Sequence, residues 1–211
     1  VDMDDGKYSF QAKSTSNFIG ATIVADSIEM QQNDTTTWES PPVMTELADG
    51  RWMAVWYKDA LSDETSSMTV WGRIFNADGS PSTNEFRVGT LAVDGSDGYD
   101  VPNLTIDQLA GGNVVVQWVR SYANSAFQDT PVFPVINPGA AGTNPTTVIQ
   151  DVVMRDPSNT GVDSPAVVEA LADGRFIAVW AKNGLHDDTT SMKLQARIFN
   201  ADGTASTGQF Q

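Results

Sequence analysis

The chain has 211 residues, 40% of them hydrophobic, enough for a buried core, and no eighteen-residue apolar run that could cross a membrane as a helix. A net charge of -15, from 27 acidic and 12 basic residues, opposes contact with nucleic acid and with anionic membranes, and favours cations or neutral ligands. Cysteine is absent, which excludes disulfides and thiolate chemistry.

The sequence opens Val-Asp-Met-Asp-Asp-Gly, without the basic and apolar regions of a signal peptide, and stops at Gln211 with a repeat in progress. The opening fits a protein that is not secreted, a mature chain or an excised fragment, and the ending favours a fragment. Residues 1–39 match the remainder weakly and read as a lead-in, the end of a preceding unit. From residue 40 a pattern of 62 residues recurs. Residues 40–86 and 164–210 align without a gap at an offset of 124, with 27 identical positions. Midway, Leu109, Gly112 and Trp118 repeat Leu47, Gly50 and Trp56. The expected organisation is unit 1 at 40–100, a divergent unit 2 at 101–162, and a truncated unit 3 at 163–211.

Unit 1 begins with a strand around Pro41-Pro42-Val43-Met44-Thr45, turns at Asp49-Gly50, and enters a second strand. There Trp52, Ala54 and Trp56 line one face and Met53, Val55 and Tyr57 the other, as in a strand covered on both sides. A variable acidic loop with Asp63-Glu64 follows. A third strand through Arg73-Ile74-Phe75 turns at Asn-Ala-Asp-Gly into a last strand around Phe86. Unit 2 keeps Val114 to Val116 and Trp118, but loses the Asp-Gly-Arg and Asn-Ala-Asp-Gly details. In unit 3, Pro165 to Leu171 reads as a strand by analogy with Pro41 to Thr45, and Phe176, Ala178 and Trp180 oppose Ile177, Val179 and Ala181. Its third strand alternates Met192, Leu194, Ala196 and Ile198 against Lys193, Gln195 and Arg197. The chain is therefore expected to be all-β: three repeats of about four antiparallel strands, propeller-blade-like, with a β-trefoil or β-sandwich as alternatives.

The frame Pro-x-Val-x-x-x-Leu-Ala-Asp-Gly-Arg, then Ala-Val-Trp, then Arg-Ile-Phe-Asn-Ala-Asp-Gly and Phe, resembles a repeat of large exported bacterial proteins, the RTX-type adhesins and haemolysin-like proteins. It covers residues 40–88 and 164–211 well and 101–150 poorly. The resemblance implies an exported, extracellular or cell-surface bacterial setting. The glycine-rich calcium-binding nonapeptide of RTX proteins is absent here, so no metal site is carried over.

Among residues that could carry chemistry, His186 is the only histidine and sits in an acidic loop, where a solvated side chain is the simpler reading. No Gly-x-Ser-x-Gly accompanies it, and no phosphate-cradling glycine loop is present. Calcium is the better chemistry, because hard cations want closely spaced oxygens. Asp94, Asp97 and Asp100 fall within seven residues among glycines, and Asp63 and Asp187 occupy matching loops. Solvated turns would produce the same composition. Arg73 and Arg197 are expected to pair with Asp78 and Asp202. Trp56, Trp118 and Trp180 recur in apolar strands and read as core. Trp38, Trp71 and Tyr57 do not recur and are freer to face solvent. The middle loop, with Arg120, Tyr122, Asn124, Phe127 and Asp129, mixes aromatic, amide and charged groups as a polar ligand site does.

These residues point first to a non-catalytic module for adhesion or glycan binding at a cell surface, linked to calcium, with self-association open to it. A structural spacer and a polysaccharide-acting propeller-type enzyme are the alternatives. Each chemistry sits in a loop, so the functional question becomes where the fold puts the loops.

Overall fold

The computed structural model describes residues 37–60, 67–92, 104–120, 130–155, 163–182 and 193–211. It is all-β among these, with twelve strands in three antiparallel sheets. The first sheet contains β1 (Thr37–Glu39), β2 (Val43–Glu46), β3 (Trp52–Ala60), β4 (Ser67–Phe75) and β5 (Phe86–Ala92). β1 and β2 lie end to end along one edge of β3, so the sheet is effectively four strands wide. The second sheet runs in the order β6 (Thr105–Gln108), β7 (Val114–Arg120), β8 (Thr130–Asn137), β9 (Thr146–Val153). The third contains β10 (Val167–Ala170), β11 (Phe176–Lys182) and β12 (Lys193–Phe199), and Phe210 bridges to Ala196 where Phe86 pairs with Gly72 in the first. Each sheet is an up-and-down meander within one repeat, which is the blade-like arrangement expected from the sequence.

The Ser-Pro pair that opens units 1 and 3 has a specific task. Proline interrupts the ladder, and the preceding serine repairs it. Ser40 Oγ accepts from Tyr57 N at 3.1 Å, and Ser164 Oγ accepts from Ala181 N at 2.9 Å. The Leu-Ala-Asp-Gly-Arg turns close through Leu47 N to Arg51 O and Leu171 N to Arg175 O, both 2.7 Å. Gly50, Gly112 and Gly174 take φ of 82, 87 and 89°, a left-handed conformation that glycine adopts without strain. Asp49 and Asp173 accept from the arginine two residues on, which fixes the turn and the guanidinium together.

The sheets stack face to face. Met53, Val55 and Tyr57 on β3 meet Val114, Val116 and Trp118 on β7. The other face of the second sheet, with Val115, Phe133 and Val135, meets Phe176, Ala178 and Trp180 of the third. Units 2 and 3 thus turn their tryptophans towards the unit before them. Trp56, Trp118 and Trp180 are at most 2% exposed, as core residues should be. Replacing such a buried aromatic with alanine costs about 3–5 kcal/mol, which far exceeds a surface ion pair at about 0–1.

Two expectations fail here. Tyr57 is 1% exposed, because the second sheet covers it; non-recurrence in unit 3 reflects a different neighbour. The clean alternation of β12 also misleads: Leu194 is 69% exposed while Gln195, on the face towards the second sheet, is 4% exposed.

Close approach of β5 to the second sheet depends on Gly89. A β-carbon there would stand 2.6 Å from Trp118 Cη2, inside a buried contact with no room for the indole to yield. Gly89→Ala should lower stability by about 1–3 kcal/mol, read as a drop in the denaturation midpoint. An unchanged midpoint would show that the Trp118 contact is looser than described.

Candidate functional site

The two rims of the stacked sheets are chemically different. One rim carries the tight turns, and side chains tie the units together there. Arg51 Nη2 donates to Gly139 O of the second unit at 2.5 Å, and Asn113 Nδ2 donates to Ala201 O of the third at 3.4 Å. Both bonds span 88 residues, so they are one contact made twice. Gln108 Oε1 accepts from Ala48 N at 2.6 Å, and Asp107 Oδ2 accepts from Ala170 N at 2.9 Å, which join the ends of β2, β6 and β10. The three sheets therefore point their turns the same way.

It follows that the opposite strand ends also point the same way. β3 ends and β4 begins there, and the register sets Ser67 opposite Ala92 at the end of β5. Arg120 pairs with Thr130, Val132 pairs with Val153, and Lys182 pairs with Lys193 on the equivalent ends of the other sheets. Segments 61–66, 93–103, 121–129, 156–162 and 183–192 all leave from this rim.

Those segments contain the residues that the sequence nominates. Asp63, Asp94, Asp97, Asp100 and Asp187, with Tyr122, Asn124, Phe127, Asp129 and His186, lie outside the described residues. Arg120 is placed by its backbone as the last residue of β7, opposite Thr130. No group of three or more potential metal ligands occurs among the described residues. Topology brings the described strand ends that bound these segments to one rim.

Described groups near this rim include charges that sequence reasoning passed over. Arg155 and Asp163 bracket segment 156–162 with Nη1 and Oδ2 3.7 Å apart, the side chains 11% and 4% exposed. On the face of the first sheet turned away from the second, Lys58 Nζ meets Glu85 Oε2 at 2.8 Å and lies 5.5 Å from the Trp71 ring centre. Glu85 becomes Gln209 in unit 3, where it bonds Gln195 instead. Neither ion pair recurs, so no repeat signal marked it. The expected pairing of Arg73 with Asp78 is also replaced. Arg73 Nε donates to Thr83 O and Arg197 Nε to Thr207 O, while Asp78 and Asp202 accept from Ser80 and Thr204 within their own turns. An ion pair across the strand would add little beside a local turn that already satisfies the carboxylate.

Four turn carboxylates sit below their ordinary pKa of 3.8. Arg51 and Arg175 lower Asp49 and Asp173 chiefly through side-chain hydrogen bonds, and the hydroxyls of Ser80 and Thr204 do the same for Asp78 and Asp202. A carboxylate depressed in the folded state stabilises fully above its unfolded pKa, and that contribution disappears as pH falls through the folded value. The stability advantage of the parent chain over Asp49→Asn should be constant from pH 7 to about 5 and shrink below it. Paired thermal melts across that range check this; an advantage that grows on acidification contradicts the assignment.

One buried polar group stands apart. The indole Nε1 of Trp56, Trp118 and Trp180 each lacks a hydrogen-bond partner among the described residues, and threefold recurrence makes that a property of the repeat. Gln117 occurs once. It is fully buried, where the matching residues are Val55 and Val179, and its Oε1 lies 3.2 Å from Thr105 Oγ1 while Nε2 has no partner among the described residues. It precedes Arg120 by three residues on the strand that enters segment 121–129. A buried unpaired donor costs about 1–3 kcal/mol. Gln117→Val should therefore raise the melting temperature, as measured by calorimetry, and a fall would show the amide to be a structural necessity.

No protein-family model matches the chain, and no curated protein matches it in sequence. Among solved structures, it is similar to the α-L-arabinofuranosidase from Lactobacillus brevis, with TM-score 0.45 and 15% identity over 80% of this chain. It is also similar to the GH93 α-L-arabinofuranosidase of Fusarium graminearum, solved with arabinobiose, with TM-score 0.46 and 11% identity over 87%. The chain spans about half the length of each, 51% in both cases. Likeness at this level transfers no residue and no activity.

Proposed function

We propose that the chain is a non-catalytic module of stacked β-repeats, exported by a bacterium, that binds a neutral glycan or another cell-surface ligand on its loop-bearing rim. The observation that supports this reading is that the strand ends bounding segments 61–66, 93–103, 121–129, 156–162 and 183–192 lie at one rim, while the other rim is occupied with holding the units together. Binding residues are commonly held on loops positioned by a rigid scaffold. Segment 121–129 supplies an aromatic and amide mixture suited to a sugar, with Tyr122, Asn124, Phe127 and Asp129 as the contact residues and Arg120 at its root. Asp94, Asp97 and Asp100, with Asp63 and Asp187, supply oxygens suited to calcium. The net charge of -15 favours a neutral ligand or a cation over a polyanion.

A second reading, a spacer whose units only stack, is favoured by the recurrence of the Arg51 and Asn113 contacts. The two readings separate in solution. Titration with a panel of neutral oligosaccharides should give saturable binding that weakens at least about tenfold in Tyr122→Ala or Phe127→Ala, with melting temperature unchanged. Loss of stacking at one base or ring is worth that much. No binding across the panel leaves the spacer. Hydrolysis of a bound polysaccharide, abolished in Asp129→Ala, would replace the module with an enzyme.

Calcium has its own test. Excess calcium should raise the melting temperature relative to a chelator, because a ligand of the native state stabilises by mass action. The rise should disappear in a combined Asp94→Asn, Asp97→Asn and Asp100→Asn variant. Identical melts in calcium and chelator remove the metal from the reading.

A further inference from the structure

We infer that the open face of the third sheet is a docking face for a further unit of this same repeat, seated by its tryptophan-bearing face. The argument begins from register. Val167, Ile177, Val179, Leu194, Ile198 and Phe210 share the face of the third sheet that points away from the second. Val167, Leu194 and Phe210 are 64, 69 and 42% exposed. An apolar face of this kind on an otherwise polar chain marks an interaction surface.

The same positions in unit 1, at an offset of 124, are Val43, Met53, Val55, Val70, Ile74 and Phe86. All six belong to the core between the first and second sheets, and Met53, Val55, Val70 and Ile74 are fully buried there. One surface is therefore present twice in the chain, once covered by a following unit and once open.

Arg175 supports the same conclusion independently. It occupies the place of Arg51, whose guanidinium reaches a carbonyl of the next unit. The braces are alike: Asp49 to Arg51 and Asp173 to Arg175 are both 2.7 Å. The arginine side chains differ in exposure, 7% for Arg51 and 39% for Arg175. Arg175 keeps the same brace and turns Nη1 to Ser206 Oγ of its own unit at 3.3 Å, where Arg51 reaches Gly139 O of the next unit.

The occupant is specified by what covers the unit 1 surface: a four-stranded sheet offering positions matching Val114, Val116 and Trp118, and a carbonyl matching Gly139. A second copy of this chain does not present such a face at its first sheet, because Ala54, Trp56 and Phe75 are already buried. The proposal is independent of what the loop-bearing rim binds.

The test extends the full chain. Gln211 matches Arg87, so a second copy of residues 88–155 appended after Gln211 continues the frame. The chain has no cysteine of its own, so Leu194→Cys reports on the face without interference. Thiol labelling of this variant should be fast in the parent and at least about tenfold slower in the extended chain. Arg175→Ala should lower the melting temperature of the extended chain by more than it lowers that of the parent. Equal labelling rates in the two chains overturn the proposal. An appended unit that remains protease-sensitive overturns it equally, since unit 2 folds against the matching surface of unit 1. Protection of Leu194→Cys that grows with concentration of the unextended chain would assign the face to a second copy instead, and the proposed occupant would be wrong.

Discussion

Everything in this fold depends on a strand that is apolar on both faces. β3 and β7 each carry large hydrophobic side chains in both directions, so neither can be stable at the surface of a lone sheet. A unit can satisfy one face by folding on its neighbour, and the other face then demands another neighbour. Repeat architectures share this constraint, in which units cannot bury their apolar surface alone. Here it sets the stacking direction, with Trp118 and Trp180 turned to the preceding unit and the Met53, Val55 and Tyr57 face turned to the following one. Hydrogen bonds at the turn rim refine that stack, and their weight is small beside the buried indoles.

Much of this was legible because internal repetition separates structural signals from incidental ones. A residue kept in all three units, such as Trp56, Trp118 and Trp180, had to serve the architecture, and all are buried. The Asp-Gly turns, the Asn-Ala-Asp-Gly turns and the strand after Pro165 were readable for the same reason. What repetition could not convey is context. Periodicity identifies the two faces of β12 but not which one is covered, so Leu194, Ala196 and Ile198 looked like core although Leu194 is exposed. Tyr57 looked dispensable when it is buried against the second sheet.

Functional signals were legible in a different and weaker sense. The sequence located acidic and aromatic clusters between strands, and the register of the sheets sets the strand ends that bound those segments at one rim. Residues that appear once were hardest to interpret. Lys58 with Glu85, Arg155 with Asp163, and Gln117 gain meaning only from packing, since no partner in sequence announces them. The Arg-Asp pairing suggested by spacing was wrong because serine and threonine next to each aspartate satisfy it first.

The gap-free alignment of units 1 and 3 has an evolutionary consequence. Because Lys58 pairs with Thr69 and Lys182 with Lys193 at the same spacing, a loop-rim segment can be exchanged between units 1 and 3 without shifting any core residue. Unit 2 already illustrates such uncoupling, with Leu109, Gly112 and Trp118 in frame beside a segment of quite different chemistry. Recombination between units would thus generate new surface chemistries in single steps, and the scaffold would tolerate each of them before any had been refined by point mutation.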